Sequence, residues 1–415
     1  MIGFVKKYLP DKKLLQNFTY ITFLQFFLLV APLITYPYLV RVLGQELYGF
    51  VLSAQMFASF ASIIIDFGSN RVCVKHVSVN RNDSDKIAEI VNSVISVRCL
   101  FFIGCFFLYM AVVLLIPQYK PYYLLFLTAY GLTFNDLLFP QFFFQGIENM
   151  KAITIINIMT KLFFIVLIFF VVKTPDDYLF VPLLYSLGYM IGGAYSLYLI
   201  YRVRRIRFYI PNYKTLKFYV SDCSPLFVND LICSIKDKVN YMFVGIFAGM
   251  GNVVIYDLAS KLHSLLTRPM QILTMVLLPR FAAKRDVKRL KTVLCFSFSI
   301  TFVLVVITNL ILPWIVEFFI HKQIDLVPLR LFLIAPLLVS VSSVISSNLF
   351  IAFGYNKYVL YSIIVTTIVY VISFVVLLLS GALNSIYSFI ALALISYFTE
   401  FVYRLIKAAS IWNKC

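Results

Sequence analysis

Twelve apolar windows, each bounded by charge or by turn residues, follow one another along the 415 residues. They run roughly 16–40, 47–68, 91–116, 122–146, 151–173, 178–201, 223–247, 252–279, 292–316, 328–353, 358–379 and 385–406. A helix needs about 20 apolar residues to cross a bilayer, so the pattern predicts about twelve transmembrane helices. Composition agrees, with 62% hydrophobic and 13% charged residues. Soluble domains carry roughly 45–50% and about 25%, and water could not solvate so apolar a surface. The expected fold is an all-α polytopic membrane protein. The first apolar run begins near Phe18 and continues past Val40 without a small-residue cleavage site, so it reads as the first span and not as a signal peptide.

The net charge of +18 would point to nucleic acid in a soluble chain. Here its placement decides. When the windows alternate across the membrane, 25 of the 36 lysines and arginines fall on the side that holds the N-terminus. Only Arg41, Lys120, Lys173 and Lys322 fall opposite. The positive-inside rule then puts both termini in the cytoplasm, and the charge reads as a topology signal with no role for nucleic acid. The seven cysteines, Cys73, Cys99, Cys105, Cys223, Cys233, Cys295 and Cys415, are scattered and include no CxxC, which implies neither disulfides nor zinc.

At the midpoint lies Tyr201–Asp222, carrying Arg202, Arg204, Arg205, Arg207, Lys214 and Lys217 and interrupted by Pro211-Asn212. Six windows precede it and six follow. The expected organisation is an N-terminal six-helix lobe (1–201), a cytoplasmic basic linker (202–222) and a C-terminal six-helix lobe (223–415). Six being even, both halves enter from the same side, as in a parallel repeat. Local echoes agree: the turn at Gly44–Gly49 pairs with Gly249–Gly251, and QGIENMK at 145–151 pairs with FGYNKY at 353–358.

Ionisable groups inside spans face cavities or partners, because each costs about 2.5–3.5 kcal/mol at the bilayer centre on insertion scales. The eighth window aligns Asp257, Lys261, Ser264 and Arg268 on one helical face, and the second aligns Gln55, Ser59, Ser62 and Asp66. The seventh carries Asp230, Asp237 and Tyr241, with Lys236 and Lys238 beside them, and the fifth carries Lys161. Such stripes imply a bundle around an aqueous central cavity. Within or at the ends of spans, Arg41, Arg98, Lys161, Lys236, Lys238, Lys261, Arg268 and Arg330 outnumber Asp66, Asp136, Asp230, Asp237 and Asp257. That cationic excess suits an anionic cargo such as a phosphate or diphosphate. A structural reading stands beside it: Asp257–Lys261 could simply neutralise each other, and Arg98 and Arg330 could snorkel to an interface.

Enzyme signatures are thin. Asp83-Ser84-Asp85 has the form of a metal-holding DxD, but it precedes a helical run that Asp or Ser would cap. No Walker A sequence is present, and no loop could hold an extramembrane catalytic domain.

PYLVRVLGQELYGF at 37–50 with Asp66-Phe67-Gly68, PQFFFQGIENMK at 140–151, and YDLASKL at 256–262 with Leu278-Pro279 resemble the Wzx-type O-antigen flippases of the multidrug/oligosaccharidyl-lipid/polysaccharide superfamily. Phe142 stands where a Trp is usual, Lys161 where an Arg is common, and Gly381-Ala382-Leu383-Asn384 lacks a second glycine. The resemblance implies two six-helix lobes around a cationic cavity in the bacterial inner membrane. Its implied cargo is an undecaprenyl-diphosphate-linked oligosaccharide, moved by alternating access. It further implies H+ or Na+ as coupling ion, other polysaccharide assembly proteins as partners, and no cofactor, metal or catalytic residue. Arg41, Arg98, Lys161, Lys236, Lys238, Lys261, Arg268 and Arg330 are then the candidates to receive diphosphate. Asp66, Asp237 and Asp257 are the candidates for ion coupling or charge balance.

Two other classes remain open at this stage. A multidrug-type cation antiporter would be expected to hold an acid-rich cavity. A membrane polysaccharide polymerase or glycosyltransferase would need a long periplasmic loop or periplasmic acidic residues. The topology is directly checkable: a fluorescent protein fused at the C-terminus is expected to fluoresce, and alkaline phosphatase at the same place to be inactive.

Overall fold

In hydrocarbon every backbone N–H and C=O must be paired within the protein, which leaves a chain of this composition few options besides helices. The computed structural model describes residues 12–284 and 287–412, and no strand occurs among them. The helices are α1 (Lys12–Asp66), α2 (Ser69–Val79), α3 (Ser84–Leu115), α4 (Tyr123–Tyr130), α5 (Phe134–Leu138), α6 (Gln141–Gly146), α7 (Met150–Val171) and α8 (Phe180–Tyr198). They continue as α9 (Tyr213–Phe243), α10 (Met250–Lys284), α11 (Val287–Ile320), α12 (Val327–Phe332), α13 (Ala335–Val344), α14 (Asn356–Leu379) and α15 (Ile386–Trp412).

Among the described residues, eight helical stretches are long and apolar enough to cross a membrane. The remaining windows differ for identifiable reasons. The first two are joined in α1, which is broken at Gly44. The fourth is divided among α4, α5 and α6, with Pro140 lying between α5 and α6. The seventh and eighth, α9 and α10, carry the polar stripes and are less apolar.

The chain forms two compact units, divided between Ser234 and Ile235. The division falls inside α9, so the first half of that helix packs with the first unit. The basic segment before it is docked there as well. Tyr201 Oη donates to Asn92 Oδ1 (2.8 Å), and Asn92 Nδ2 donates to the Arg207 carbonyl (2.9 Å). Tyr219 Oη donates to Glu89 Oε1 (3.3 Å). Ile206 is buried in the core of this unit with Ile87, Ile90 and Phe144, while Arg202, Arg204, Arg205 and Arg207 stay exposed. In the second unit a separate core gathers Phe281, Leu290, Val344, Leu349, Phe350 and Ala408.

The repeat seen in the sequence has a backbone counterpart. Gly44 (φ 77°, ψ 166°) separates the two arms of α1, and Gly249 (φ 96°, ψ 151°) separates α9 from α10. Both occupy a region essentially closed to other residues. Later in each half a helix ends in a Schellman turn, in which a left-handed residue lets two N–H groups reach back to orphan carbonyls. In one, Asn149 N–H reaches Phe144 O (2.8 Å) and Glu148 N–H reaches Gln145 O (3.0 Å). In the other, Tyr355 N–H reaches Phe350 O (2.6 Å) and Gly354 N–H reaches Ile351 O (3.2 Å). Glu148 takes φ 56° where the second half uses Gly354.

Beyond the spans, the loop before α12 is tied to α15. Tyr387 donates its hydroxyl to the Asp325 carboxylate, and Val327 N–H donates to the same group (2.9 Å). These bonds hold the Asp325 carboxyl below the usual carboxylate range. A lowered carboxyl stabilises the fold above its ordinary pKa, and that contribution is lost as pH falls through the lowered value. Tyr387→Phe is therefore expected to reduce the melting temperature at neutral pH more than at strongly acid pH. Gly44→Ala and Gly249→Ala are each expected to cost about 1–3 kcal/mol, measured by thermal unfolding of the purified protein in detergent.

Candidate functional site

Polar groups gather in small clusters in each unit. In the first, α1 ends at Asp66, and the chain turns through Phe67 (φ 40°) and Gly68 (φ 77°) before α2 begins. The turn folds the Asp66 carboxylate back over the start of α2, where it accepts from Ser69 Oγ (3.1 Å) and Asn70 N–H (3.3 Å). A charged acceptor suits the positive end of a helix. Gly68 is required twice over, because a Cβ there would stand 3.0 Å from Phe227 N and 3.1 Å from Cys223 O of α9.

Arg98 of α3 enters the same turn. Its side chain is fully enclosed, and Nη2 donates to Asp66 Oδ1 at 2.6 Å and to Ser69 Oγ at 2.8 Å. Nη1 reaches the Phe139 carbonyl (3.4 Å), and the guanidinium lies over the Phe142 ring, 5.6 Å from its centroid. One arginine thus ties α1, α2, α3 and the Phe139–Phe144 segment together. Further along, α2 is fastened to the first half of α9: Arg71 Nη1 meets Asp230 Oδ1, and His76 Nε2 meets Asp222 Oδ2, each at 2.7 Å.

Elsewhere in this unit, Lys161 of α7 donates to Tyr189 Oη (2.7 Å) and lies over the rings of Tyr185 (4.9 Å) and Tyr189 (5.1 Å). Aromatic faces attract a cation most strongly where water is scarce. Arg41 is exposed on the first arm of α1.

In the second unit, Asp257 and Lys261 form an ion pair one turn apart on α10. The carboxylate side chain is 4% exposed and the lysine side chain 28%. Near the start of the same helix, Asn240 Nδ2 donates to Tyr256 Oη (3.0 Å), and Tyr370 Oη donates to Asn240 Oδ1 (2.6 Å). Tyr241 stands edge-on to Tyr256, and His263 stacks on Tyr397. Lys238 is half-buried, and Arg268 is exposed and reaches Gln271 Oε1 (3.4 Å). Arg330 is exposed on α12. The side chains of Lys236 and Asp237 lie outside the described residues.

The structure therefore brings Asp66 to Arg98 and Asp257 to Lys261. Sequence reasoning missed one cluster. Arg404 of α15, counted above with the cytoplasmic charges, is 7% exposed. It pairs with Glu400 (2.6 Å) and donates to Ser342 Oγ (3.0 Å) and Ser362 Oγ (3.2 Å). The four-residue spacing of Glu400 and Arg404 within an apolar helix was the available signal.

Residues 14–285 match the family described as “Polysaccharide biosynthesis protein”. The chain belongs to this family. Over 82% of its length it is 22% identical to the “Putative O-antigen transporter” of Escherichia coli (strain K12), of which 84% is covered. Over 56% of its length it is 26% identical to a protein of the same description from Shigella dysenteriae, of which 58% is covered. Solved structures share the fold. An inward-facing multidrug resistance MATE family transporter of the MOP superfamily superposes with a TM-score of 0.70, at 15% identity and with 92% of this chain and 96% of that one covered. The lipid II flippase MurJ in an inward closed conformation gives 0.65, at 15% identity with 94% and 87% covered. This member of the polysaccharide biosynthesis family is thus an all-α membrane protein of two compact units with the fold of these transporters.

Within that fold the enclosed Arg98 has a measurable weight. Removing one partner of a buried ion pair costs about 3–5 kcal/mol, whereas replacing both by apolar groups is often close to neutral. Arg98→Leu is expected to lower the melting temperature in detergent sharply, and Arg98→Leu with Asp66→Leu to recover part of the loss.

Proposed function

We propose that this member of the polysaccharide biosynthesis family is an O-antigen-type flippase. It moves a polyprenyl-diphosphate-linked oligosaccharide from the cytoplasmic to the outer leaflet of the bacterial inner membrane by alternating access of its two lobes. The observation that carries the reading is the similarity, over 82% of the chain, to a protein named as an O-antigen transporter. The family match and the cationic excess within the spans support it. Likeness to multidrug transporters, at 15% identity, is a likeness of fold.

The two ion pairs suit different tasks. Arg98 is enclosed and held by Asp66, Ser69 and Phe139, which fits it to hold helices together. Lys261 keeps part of its surface open while Asp257 is nearly enclosed. A diphosphate that draws Lys261 away leaves Asp257 as an uncompensated buried charge, and binding H+ or Na+ relieves that cost. Cargo and coupling ion are then linked through one carboxylate. Lys161, Lys236, Lys238 and Arg268 are further cations along the route, with Asp66 and Asp237 as further carboxylates.

A charge-assisted hydrogen bond contributes about 1.5–3 kcal/mol, equivalent to roughly 10–100-fold in rate or affinity. Lys261→Gln is expected to slow flipping of a fluorescent polyprenyl-diphosphate oligosaccharide in proteoliposomes by that factor, with Lys261→Arg close to wild type. Unchanged flipping by Lys261→Gln would remove Lys261 from the route, and no flipping by the wild type would overturn the transport reading.

A further inference from the structure

The helices α14 and α15 are joined near one end by Arg404, which donates from α15 to Ser362 Oγ of α14 (3.2 Å). One turn closer to that end, each helix places a lysine. On α14, Tyr358 stands four residues before Ser362 with Lys357 beside it, and on α15, Lys407 stands three residues after Arg404. The side chains converge. Lys357 Nζ lies 5.4 Å from the centroid of the Tyr358 ring, and Lys407 Nζ lies 5.8 Å from the same centroid and 5.8 Å from that of Tyr403. Phe350 at 5.6 Å and Tyr355 at 5.9 Å hold the Tyr358 ring from its other neighbours, and it backs onto the core of Leu349, Phe350 and Ala408. Two ammoniums thus gather at one fixed ring, Lys357 exposed and Lys407 half-buried.

A ring attracts a cation but does not neutralise it, and no carboxylate is to hand. The helix α14 contains no acid, and the single acid of α15, Glu400, is paired with Arg404 (2.6 Å). Among the described residues neither lysine forms an ion pair, and rings are their neighbours. Their place along the helices decides what can neutralise them. Lys357 opens one candidate span, Lys357–Leu379, and Lys407 lies in the last turns of another, Ile386–Trp412. Leu360, Ile364, Ile368 and Val371 follow Lys357 along the same face of α14, and all are exposed. On α15, Phe398 and Ile406 are exposed as well. The cations therefore stand at the foot of a face that hydrocarbon chains cover, at the depth where lysines reach the headgroup layer. Cation and hydrocarbon on one face complement a lipid whose headgroup carries a net negative charge. A zwitterionic headgroup brings its own cation and gains less.

We propose that Lys357, Lys407 and the Tyr358 ring form a binding site for the phosphate headgroup of an anionic membrane phospholipid, whose acyl chains lie along the exposed face of α14. Basic sites between helices at the cytoplasmic ends of spans suit such headgroups, and the positive-inside rule assigns this end to the cytoplasm. The phosphate relieves the repulsion between two ammoniums that the fold brings to one ring. Arg404 is a positioning residue here, because its bond to Ser362 fixes the register that carries Lys407 to Tyr358. The site is independent of whatever crosses the membrane and so goes beyond the flippase reading.

The test titrates the full chain in detergent with phosphatidylglycerol or with phosphatidylcholine of the same acyl chains, and native mass spectrometry reads the affinity of the first lipid retained. Phosphatidylglycerol is expected to bind the more tightly. Lys357→Gln and Lys407→Gln are each expected to weaken it about fivefold, and the double variant roughly twentyfold. Lys357→Arg and Lys407→Arg are expected to keep it. Lys151→Gln makes the same charge change at an exposed position of the first unit and is expected to leave it unaltered. Phosphatidylglycerol is expected to raise the melting temperature of the wild type and not that of the double variant, with the lipid-free values alike. Equal binding of the two lipids, unchanged binding in the folded double variant, or an equal loss in Lys151→Gln overturns the site. Competition separates the sources of phosphate. Displacement of phosphatidylglycerol by a lower concentration of polyprenyl phosphate would assign the site to the carrier lipid, and displacement by inorganic phosphate would assign it to a free anion; either overturns the phospholipid.

Discussion

A guanidinium with no exposed surface organises the first unit. Stripped of water, Arg98 is tolerable only where its donors find acceptors, and the acceptors come from separate parts of the chain: the last residue of α1, the first of α2, and the Phe139 carbonyl before α6. Each of those positions is in turn fixed by something local. Gly68 lets α1 turn into α2, and Asn70 Oδ1 accepts from Phe142 N–H (3.2 Å), seating the ring on which the guanidinium rests. The buried charge therefore specifies one mutual arrangement of these segments. Apolar packing between the same helices would be less selective, since hydrocarbon side chains accept many neighbours.

The second unit solves a similar problem with less enclosure. Arg404 is anchored by Glu400, one turn away on its own helix, and by two serines from α13 and α14. Asn240 joins two tyrosines from α10 and α14. Asp257 and Lys261 neutralise each other within a single helix and leave the lysine partly open. An intrahelical pair can change partner without moving a helix, whereas the Arg98 cluster cannot. Under the proposed function, that difference assigns the Asp257–Lys261 pair to transport and the Arg98 cluster to architecture.

Helix content and helix order were legible because hydrophobic windows and the need to pair the backbone are both local properties. The breaks at Gly44 and Gly249 were legible as turns for the same reason. Burial of arginine was not. Arg98 and Arg404 both sit within a turn or two of a window's end, where reaching water and turning inward look alike in sequence. What decides is a distant carboxylate or serine, such as Asp66 for Arg98 at a separation of 32 residues. The aromatic setting of Lys161 was hidden similarly, since Tyr185 and Tyr189 lie on the next helix among 28 tyrosines with no distinguishing pattern.

The way the basic segment and the start of α9 pack on the first unit bears on how the protein is made. Tyr219 and Cys223 are buried in that unit's core, and Asp222 and Asp230 are the partners of His76 and Arg71. A nascent chain that has released only its first six spans still lacks these groups, and Arg71 and His76 of α2 do not yet have their carboxylates. The first unit is complete only when the ribosome has passed the middle of α9. Until then the membrane holds an unfinished bundle, its last contacts supplied by a segment whose other end belongs to the second unit.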